Sequence, residues 1–399
     1  MSNGTADRDS AVLELLRVRS ATRPQIAEAT GMSKPTISAA IAALEQAGLV
    51  QEDGQIVGAT GRSPVVYRLN ATARLVAGID VGGVNTRAAI ADLRGHILAE
   101  HAEPTDSDRV IDQVSALISR LKSRVRRTLG RRPELTAAVL STPGVITDGS
   151  LVRLAYNVRP GGIMDYSHLP ARIKSPLRVE NNVNLAAIGE HRVGAARSAR
   201  TFLQVSVGAG IGVGIVYDGR LLRGHNGAAG EISYLPIGAR PLGTQIETGN
   251  YESATAAGGL LERAHSKAWP QRPPRDVAEL FAWAADGIDT AQRLVNDEGA
   301  RIGLAVVAAR TIIDPELVVL GGGIGRNELL IPPVTAVCER LLPVPCPIVT
   351  TELADRGSLL GAVTAASDDA WRAIVGPTGT SAATEMLPGI PSFPKEGRP

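Results

Sequence analysis

Cysteine and long apolar segments are both scarce in this chain of 399 residues. Its only two cysteines, Cys338 and Cys346, are too few for a disulfide framework and fit a reducing compartment. No uninterrupted apolar run reaches the ~18 residues that a membrane-spanning helix needs, and no charged-then-apolar leader is visible. We therefore expect a soluble cytoplasmic protein without a membrane partner.

Aromatic residues are also rare, at 3% of the sequence, so we expect a core built from Val, Ile, Leu and Ala. The formal net charge of +2 is close to neutral and does not by itself predict binding to a polyanion. The length allows two or three domains. Glycine is plentiful, with 43 residues, and its position along the chain is the more informative feature.

The first 72 residues have the order of helices and turns of a DNA-binding head. Apolar spacing predicts three helices separated by tight turns, followed by a two-stranded hairpin. The local signals are an N-cap at Ser10, a helix start at Pro24, a break at Gly31, a cap at Ser33, an apolar stripe at Ile37, Ala40, Ile41 and Leu44, and a stop near Gly48. The whole pattern is typical of a winged helix-turn-helix.

The third helix is the candidate recognition helix, because its first turns are short of bulky side chains. We expect the head to contact DNA through Ser33, Lys34, Pro35, Thr36, Ser38 and, at the hairpin tip, Arg62. Residues 1–72 contain seven basic and seven acidic residues, so the charge that binds phosphates must be concentrated on one face. The alternative is a three-helix accessory bundle that binds no DNA.

After Leu69, strands alternate with helices, which is typical of an α/β domain. Gly-rich turns follow three predicted strands, at residues 82–83, 208–214 and 321–325. Such turns bring backbone N–H groups close to a ligand, as phosphate-binding loops do, although packing turns use glycine as well. Their places in two successive α/β halves predict a two-lobed, actin-like body of the sugar-kinase type.

Five stretches resemble the ROK family, which groups sugar kinases with sugar-responsive repressors that carry a winged helix-turn-helix. They are GIDVGG (78–83), STPGV (141–145), VENNVNLAAIGE (179–190), VGAGIGVGIVYDGRLLRGHNGAAGEI (207–232) and VVLGGGIG (318–325). Residues 23–51 and 61–69 are similar to the winged helix-turn-helix of bacterial repressors. The resemblance spans nearly the whole chain and implies a transcriptional regulator, most simply a repressor.

The resemblance also implies that catalysis has been lost. Sugar kinases of this family use the Asp of an Asn-Asp pair to take the proton from the attacking hydroxyl, and this pair is Asn181-Asn182 here. An amide cannot carry that proton away at neutral pH, and loss of a general base typically costs ~10²–10⁴ in rate. We therefore expect no enzyme; the alternatives are a bifunctional sugar kinase and a body that only dimerises.

Sugar-binding positions are better retained than catalytic ones. The resemblance implies sugar contacts from Asn157, Asn181, Asn182, Glu231, Tyr234 and Glu252, with Tyr234 where the family has a His. The family's zinc-binding cysteine cluster has no counterpart between Tyr234 and Glu252, so we expect no metal.

Nucleotide-binding positions are only partly retained. The resemblance places Asp80, Gly82, Gly83, Gly208, Gly210, Gly321 and Gly322 around the phosphates, but Val84 replaces a Thr of the family. We interpret these glycines mainly as tight turns of an inherited fold, and we expect no cofactor.

The predicted organisation has three segments: a DNA-binding head over 1–72, a ligand-sensing and dimerising body over 73–375 and a disordered tail over 376–399. We expect a homodimer or a dimer of dimers that binds a palindromic double-stranded operator and a sugar or polyol effector. A basic run at 121–132 is most simply a solvated helix face, with an extra contact to the DNA backbone as the alternative.

Overall fold

The computed structural model describes residues 3–55, 64–132, 134–156, 158–159, 161–237, 250–270 and 272–376. Two predicted site residues, Arg62 and Asn157, lie outside these ranges, as does the predicted tail beyond residue 376. Within the described ranges, no helix combines the length and the apolar character needed to cross a membrane.

The N-terminal head is a winged helix-turn-helix. Its elements are α1 Asn3–Val18, β1 Ala21–Thr22, α2 Arg23–Thr30, α3 Lys34–Gln46, β2 Val50–Gln55 and β3 Val65–Leu69. The Thr22 side chain caps α2, and Gly31 ends that helix with a φ of 69°. Ser33 then caps α3 by accepting the N–H of Thr36, as the sequence predicts. The three strands form an antiparallel sheet in the order β1-β3-β2.

The predicted cap at Ser10 is wrong. Helix α1 begins at Asn3, and Ser10 lies buried within it, where its hydroxyl donates a 2.8 Å hydrogen bond to the carbonyl of Val375. A serine at the edge of an apolar stripe has the sequence signature of a cap. Here a partner at the far end of the chain gives it a different role.

The first lobe follows a 3₁₀ turn at Ala71–Ala73. Its elements are β4 Leu75–Val81, β5 Asn85–Asp92, β6 Ile97–Pro104, α4 Val110–Leu129, β7 Leu135–Thr142, β8 Val145–Ile146, β9 Leu151–Arg153, β10 Met164–Asp165, α5 Leu169–Ile173, β11 Leu177–Asn181 and α6 Asn182–Val193. The main sheet has the order β11-β7-β4-β5-β6, while β8, β9 and β10 form a small separate sheet.

The second lobe repeats the pattern with more helices. Its elements are β12 Phe202–Val207, β13 Ile211–Tyr217, β14 Arg220–Leu221, a 3₁₀ turn Ile232–Tyr234, α7 Asn250–Thr255, α8 Ala257–His265, α9 Val277–Ala285, α10 Asp289–Ile313, β15 Leu317–Gly321, α11 Gly322–Gly325, a 3₁₀ turn Glu328–Leu330, α12 Ile331–Leu341 and β16 Ile348–Thr350. The sheet order is β14-β13-β12-β15-β16. The last helix, α13 Gly357–Val375, returns to the first lobe.

The two main sheets have the same topology, which confirms the predicted two-lobed body. Each begins with three strands in an antiparallel meander and continues with two strands parallel to the first of them. The turns after β4, β7, β11, β12 and β15 therefore leave the two sheets at corresponding edges. Open α/β sheets bind ligands at such carboxyl ends.

Helix α13 connects the first lobe to the head. Its middle packs on β4 and β7 through Leu359, Ala362 and Val363, and its C-terminal Trp371 and Val375 enter the apolar core of the head. The core is built mainly from Val, Ile, Leu and Ala, as expected. Aromatic residues are few, but several occupy fully buried positions, namely Trp371, Tyr166, Tyr251 and Phe202.

Candidate ligand cleft and DNA-binding surface

A cavity of about 280 Å³ lies between the two lobes. Its walls are the turns that end β4, β7, β11, β12 and β15, together with the start of α13. The volume suits a small molecule rather than a macromolecule. The described residues that line it with polar or charged side chains are Tyr156, Asn181, Asn182, Ser206, Glu231, Ser233, Tyr234, Glu252, Asp355 and Ser358.

Glu231 and Glu252 form an acidic pair in the wall of the second lobe. Burial, and after it the charge of Glu252, raise the pKa of Glu231 to about 7. Burial also raises the pKa of Glu252, although the backbone N–H of Ile211 donates to its Oε2 at 3.2 Å and opposes the shift. At neutral pH Glu231 is therefore partly protonated. A carboxyl in that state both donates and accepts hydrogen bonds, as the hydroxyls of a polyol require.

Tyr234 and Tyr156 bring aromatic rings to the same cavity from opposite lobes. Tyr234 is 44% exposed, and burial and the nearby Glu231 carboxylate raise the pKa of its hydroxyl. Its hydroxyl thus stays a neutral donor and acceptor beside the acidic pair. Asn157, which the sequence pairs with this cluster, lies outside the described residues.

Asn181 and Asn182 lie at the start of α6 and both line the cavity. The Asn181 amide oxygen caps the helix by accepting the N–H groups of Val183 and Asn184, and its amide nitrogen donates to the carbonyl of Gly144 at 3.0 Å. Most of its hydrogen-bonding capacity is therefore used by the fold. The Asn182 side chain makes no hydrogen bond to another described residue, and its backbone carbonyl accepts the Ser358 hydroxyl at 3.0 Å.

The glycines in the turns beside the cavity divide into two kinds, and Gly323, which was not among the predicted ones, belongs to the second. A Cβ at Gly322, where φ is 82°, would meet the Val207 carbonyl at 2.4 Å, so packing alone requires this glycine. At Gly208 the nearest contact of a Cβ would be an ordinary 3.4 Å, and at Gly323 there is open space. These two glycines keep the cavity open. Gly321, in contrast, is absent from the described lining, whereas Gly82, Gly83 and Gly210 border it.

Asp80 is buried beneath the cavity rather than exposed in its wall. Its Oδ1 accepts a 2.7 Å hydrogen bond from Ser141, and burial raises its pKa. Arg87 lies 4.0 Å from Asp80 and forms a closer ion pair with Asp355. The charged side chains among the described lining residues are Glu231, Glu252 and Asp355, which are all acidic. The Arg87 guanidinium is thus already paired with carboxylates.

The kinases of the family carry a zinc site, but the residues at the corresponding positions here cannot bind zinc. Tyr234 occupies the position of the ligand His, and residues 235–249 contain neither Cys nor His. No group of three or more candidate ligand side chains converges among the described residues. We therefore derive no step through a metal.

The predicted DNA-contacting residues lie at the N-terminal end of α3. Ser33, Lys34 and Pro35 are exposed, and Thr36 and Ser38 are partly exposed. The Ser33 and Thr36 hydroxyls are 2.7 Å apart. On the inner side of the helix Ile37, Ala40 and Ile41 are fully buried. The segment thus presents small polar groups and one cation outward, and the hairpin of β2 and β3 lies beside it.

Comparison with known proteins places this architecture in a family. A model of the ROK family matches residues 76–369, most of the chain. The chain belongs to the ROK family. A model of the MarR family matches residues 4–55, which contain α1 to α3 and β2. A ROK body behind a MarR-type head makes the chain a ROK-family transcriptional regulator.

Relatives of this ROK protein include both repressors and kinases. The xylose repressor of Bacillus spizizenii is 26% identical over 79% of this chain and 80% of its own length. A glucokinase of Halalkalibacterium halodurans is 28% identical over 65% of this chain and 84% of its own length. A solved ROK family transcriptional regulator, a homologue of the E. coli MLC protein, has a TM-score of 0.73 at 17% identity, covering 93% of this chain and 98% of that chain. That likeness shows the fold of head and body together.

Several residues of the site were not predicted from the sequence. Ser206, Asp355 and Ser358 line the cavity but belong to no motif with a recognisable spacing, and Ser233 lies between two predicted residues without being predicted itself. Asp355 precedes α13 and reaches the cleft only because that helix begins there. Gly323 could have been found from the run of three glycines after β15, although the choice among the three requires the backbone geometry.

Proposed function

We propose that this protein is a homodimeric repressor that binds a palindromic operator through residues 1–72 and a sugar or polyol through its body, residues 73–375, without phosphorylating it. The observation that carries the proposal is the course of α13. Ser358 at its start lines the cavity, and Trp371 near its end lies in the core of the head. A 19-residue helix spans ~28 Å, so one rigid element links the two sites.

The end of α13 is held in the head by polar contacts as well as packing. The Trp371 indole N–H donates to Glu14 at 2.7 Å, and the Arg17 guanidinium lies 4.7 Å from the Trp371 ring centre. Arg17 also pairs with Asp368 at 3.0 Å. A shift of α13 on ligand binding would therefore move α1 with it. Ligand and DNA affect each other only if each prefers one position of this helix.

The composition of the cavity supports binding without phosphoryl transfer. Asn182 cannot serve as the base, and the acidic side chains that line the cavity would repel the phosphates of a nucleotide. Because Arg87 is paired with Asp355, it is not available to neutralise a transferring phosphoryl group. The same acidic groups can hydrogen-bond to the hydroxyls of a sugar, which are neutral and are not repelled.

A sugar kinase is the second candidate, and one specific observation favours it. Glu231 lines the cavity and has a pKa of about 7, where a general base works best. A rearranged mechanism could use it in place of the missing aspartate. The proposal therefore has to be tested on activity as well as on DNA binding.

The catalytic test measures ATP-dependent phosphorylation of glucose, N-acetylglucosamine, mannose, allose and xylose. We expect background rates from the wild type and a trace of activity from Asn182→Asp, because a carboxylate would again lie beside the substrate hydroxyl. A saturable wild-type rate that Glu231→Gln abolishes would establish the kinase instead. Calorimetric titration of each sugar separates a protein that binds without turnover from one that binds nothing.

The regulatory test selects DNA from a random library with the full chain. We expect inverted repeats whose half-sites lie about one helical turn, ~10 base pairs, apart, because a two-fold dimer places its recognition helices at that spacing. A sugar that binds the body should change the affinity for the selected duplex. Selection of unrelated, non-repeated sequences would contradict the palindromic dimer.

A further inference from the structure

The head has no net charge, since its basic and acidic residues are equal in number. Contacts to phosphates supply most of the affinity of proteins for non-specific DNA. A neutral head that binds DNA therefore benefits from cations outside it. The body has such a group of cations close to the head.

The sequence between Asp112 and Glu134 contains seven basic residues and no acidic one. Arg120 pairs with Glu103, and Lys122 is partly buried, with its ammonium donating to the carbonyl of Ile173. The other five are exposed. Together with the exposed Arg74 they form what we call the α4 patch: Arg74, Arg124, Arg126, Arg127, Arg131 and Arg132.

None of the six arginines of the α4 patch forms an ion pair with a carboxylate of the described residues, whereas arginines elsewhere in the body commonly do. Cations at the C-terminal end of a helix are favourable to its dipole, which accounts for Arg126 and Arg127 on α4. It does not account for Arg74, Arg131 and Arg132, which lie beyond the helix.

The α4 patch is adjacent to the base of the head. Strands β4 and β7 start side by side, with Leu75 paired to Leu135, so the chain leaving the head and the chain leaving α4 meet at one edge of the sheet. Arg131 donates to the carbonyl of Thr72, and the Thr72 hydroxyl donates to Asn70 at 3.1 Å.

Asn70 extends this chain of hydrogen bonds to the recognition helix. Its amide donates at 2.9 Å to the carbonyl of Gly48, which lies just after the end of α3. Three hydrogen bonds thus connect the α4 patch to the end of the helix expected to enter the major groove. This is the opposite end of α3 from its predicted DNA contacts, so the α4 patch would meet the duplex that flanks the half-site rather than the bases that α3 reads.

We propose that the α4 patch is a second DNA-binding surface, which holds the phosphate backbone next to the half-site read by the head. The proposal rests on the proposed function, because it requires the head to bind DNA. Its partner is the duplex backbone, without regard to sequence. It places most of the salt-dependent affinity in the body and the base-specific contacts in α3.

The test replaces Arg124, Arg127 and Arg132 together with glutamine and leaves Arg131 in place to preserve its hydrogen bond with Thr72. The matched control replaces Lys267, Arg326 and Arg340 with glutamine; these are exposed cations of the second lobe without ion pairs among the described residues. Both triple variants lower the net charge by the same amount. Full-length proteins are titrated with a 40-base-pair duplex of mixed sequence at several salt concentrations.

We expect the α4-patch variant to bind about tenfold or more weakly at 0.1 M salt, and its log–log salt slope to fall by ~0.9 for each phosphate that it no longer neutralises. The control should change the slope little. An unchanged slope in the α4-patch variant, or an equal decrease in the control, overturns this inference and leaves the proposed function intact. Absence of DNA binding by the wild type, on selected as well as mixed duplexes, would overturn both.

Discussion

The two ends of helix α13 lie in very different surroundings. Its C-terminal end enters the core of the head with Trp371 and Val375, which belong to one buried cluster with Val12, Leu13 and Leu16 of α1. Its N-terminal end borders the cleft with Ser358 and backbone, next to the glycine turns that keep the cavity open. The head is thus joined to the body by close packing, whereas the two lobes pack together through α6 against β12 and β13 and leave an open cavity beside this contact.

This difference indicates where the molecule can move. Packed interiors resist deformation, while a cleft between lobes closes without breaking a packed interface. We therefore expect ligand-induced movement to begin at the cleft, and the head to follow α13 as one unit. Three substitutions test this difference: one at the packed end of α13, one in the acidic wall of the cleft and one at the start of α13. Their effects on the free energy of unfolding should decrease in that order.

The largest effect is expected from Trp371→Ala. Truncation of a buried tryptophan typically costs ~3–5 kcal/mol, and the cavity here would open inside the core of the head. The free energy of unfolding, measured in urea, should fall by this amount, and DNA binding should weaken. Trp283→Ala is the matched control, because Trp283 packs against Trp269 in the second lobe, away from the head. Equal weakening of DNA binding in the control would mean that α13 has no special connection with the head.

An intermediate effect is expected from Glu231→Gln, and it depends on pH. The pKa of Glu231 is raised from 4.5 to about 7, so the folded protein keeps a proton that the unfolded chain has released. Its contribution to stability is thus present at pH 4–5 and is lost as pH rises through 7. Between pH 5 and 8 we expect the free energy of unfolding of the wild type to fall by about 2 kcal/mol relative to that of the variant.

Glu279→Gln provides the control for this pH profile. Hydrogen bonds and charge from Arg272 and Arg275 lower the pKa of Glu279, so this group is ionised in both states over the same range. The difference between wild type and Glu279→Gln should therefore stay constant from pH 5 to 8. If the difference between wild type and Glu231→Gln also stays constant from pH 5 to 8, ionisation of the acidic pair is not coupled to folding.

The smallest effect is expected from Ser358→Ala. The variant removes the 3.0 Å hydrogen bond to the carbonyl of Asn182, which joins the start of α13 to the start of α6. Loss of one such bond typically costs about 1 kcal/mol. Ser123→Ala, on the exposed face of α4, should change the melting temperature little. If Ser358→Ala destabilises as much as Trp371→Ala, the two ends of α13 do not differ in how tightly they are packed.

Local sequence signals predicted several elements of the head and of the first lobe. The apolar residues of 110–129 recur at helical spacing, and α4 has these bounds in the structure, because its buried stripe is regular over five turns. Ser33 and Gly31 marked the turn of the head correctly, since capping and a positive φ depend on neighbouring residues only.

Other features depended on partners distant in the sequence. Ser10 has the pattern of a cap but binds Val375, and α13 has an apolar pattern that does not reveal its packing in the head. The same holds for the acidic pair, because residues 231 and 252 lie near each other only after the lobe has folded. Hydrogen bonding and burial at these places are set by residues hundreds of positions apart or separated by a long loop.

Residue types alone settle the chemistry available at each position: an amide at residue 182, no cysteine cluster near residue 240, a neutral head and an unbroken basic run after residue 112. How these groups are combined depends on the fold. Folding puts three carboxylates around one cavity, buries Asp80 beneath it, and places the α4 patch beside the head. Side-chain type is local information, whereas charge interactions and burial depend on distances that the packing of the two lobes and the head sets.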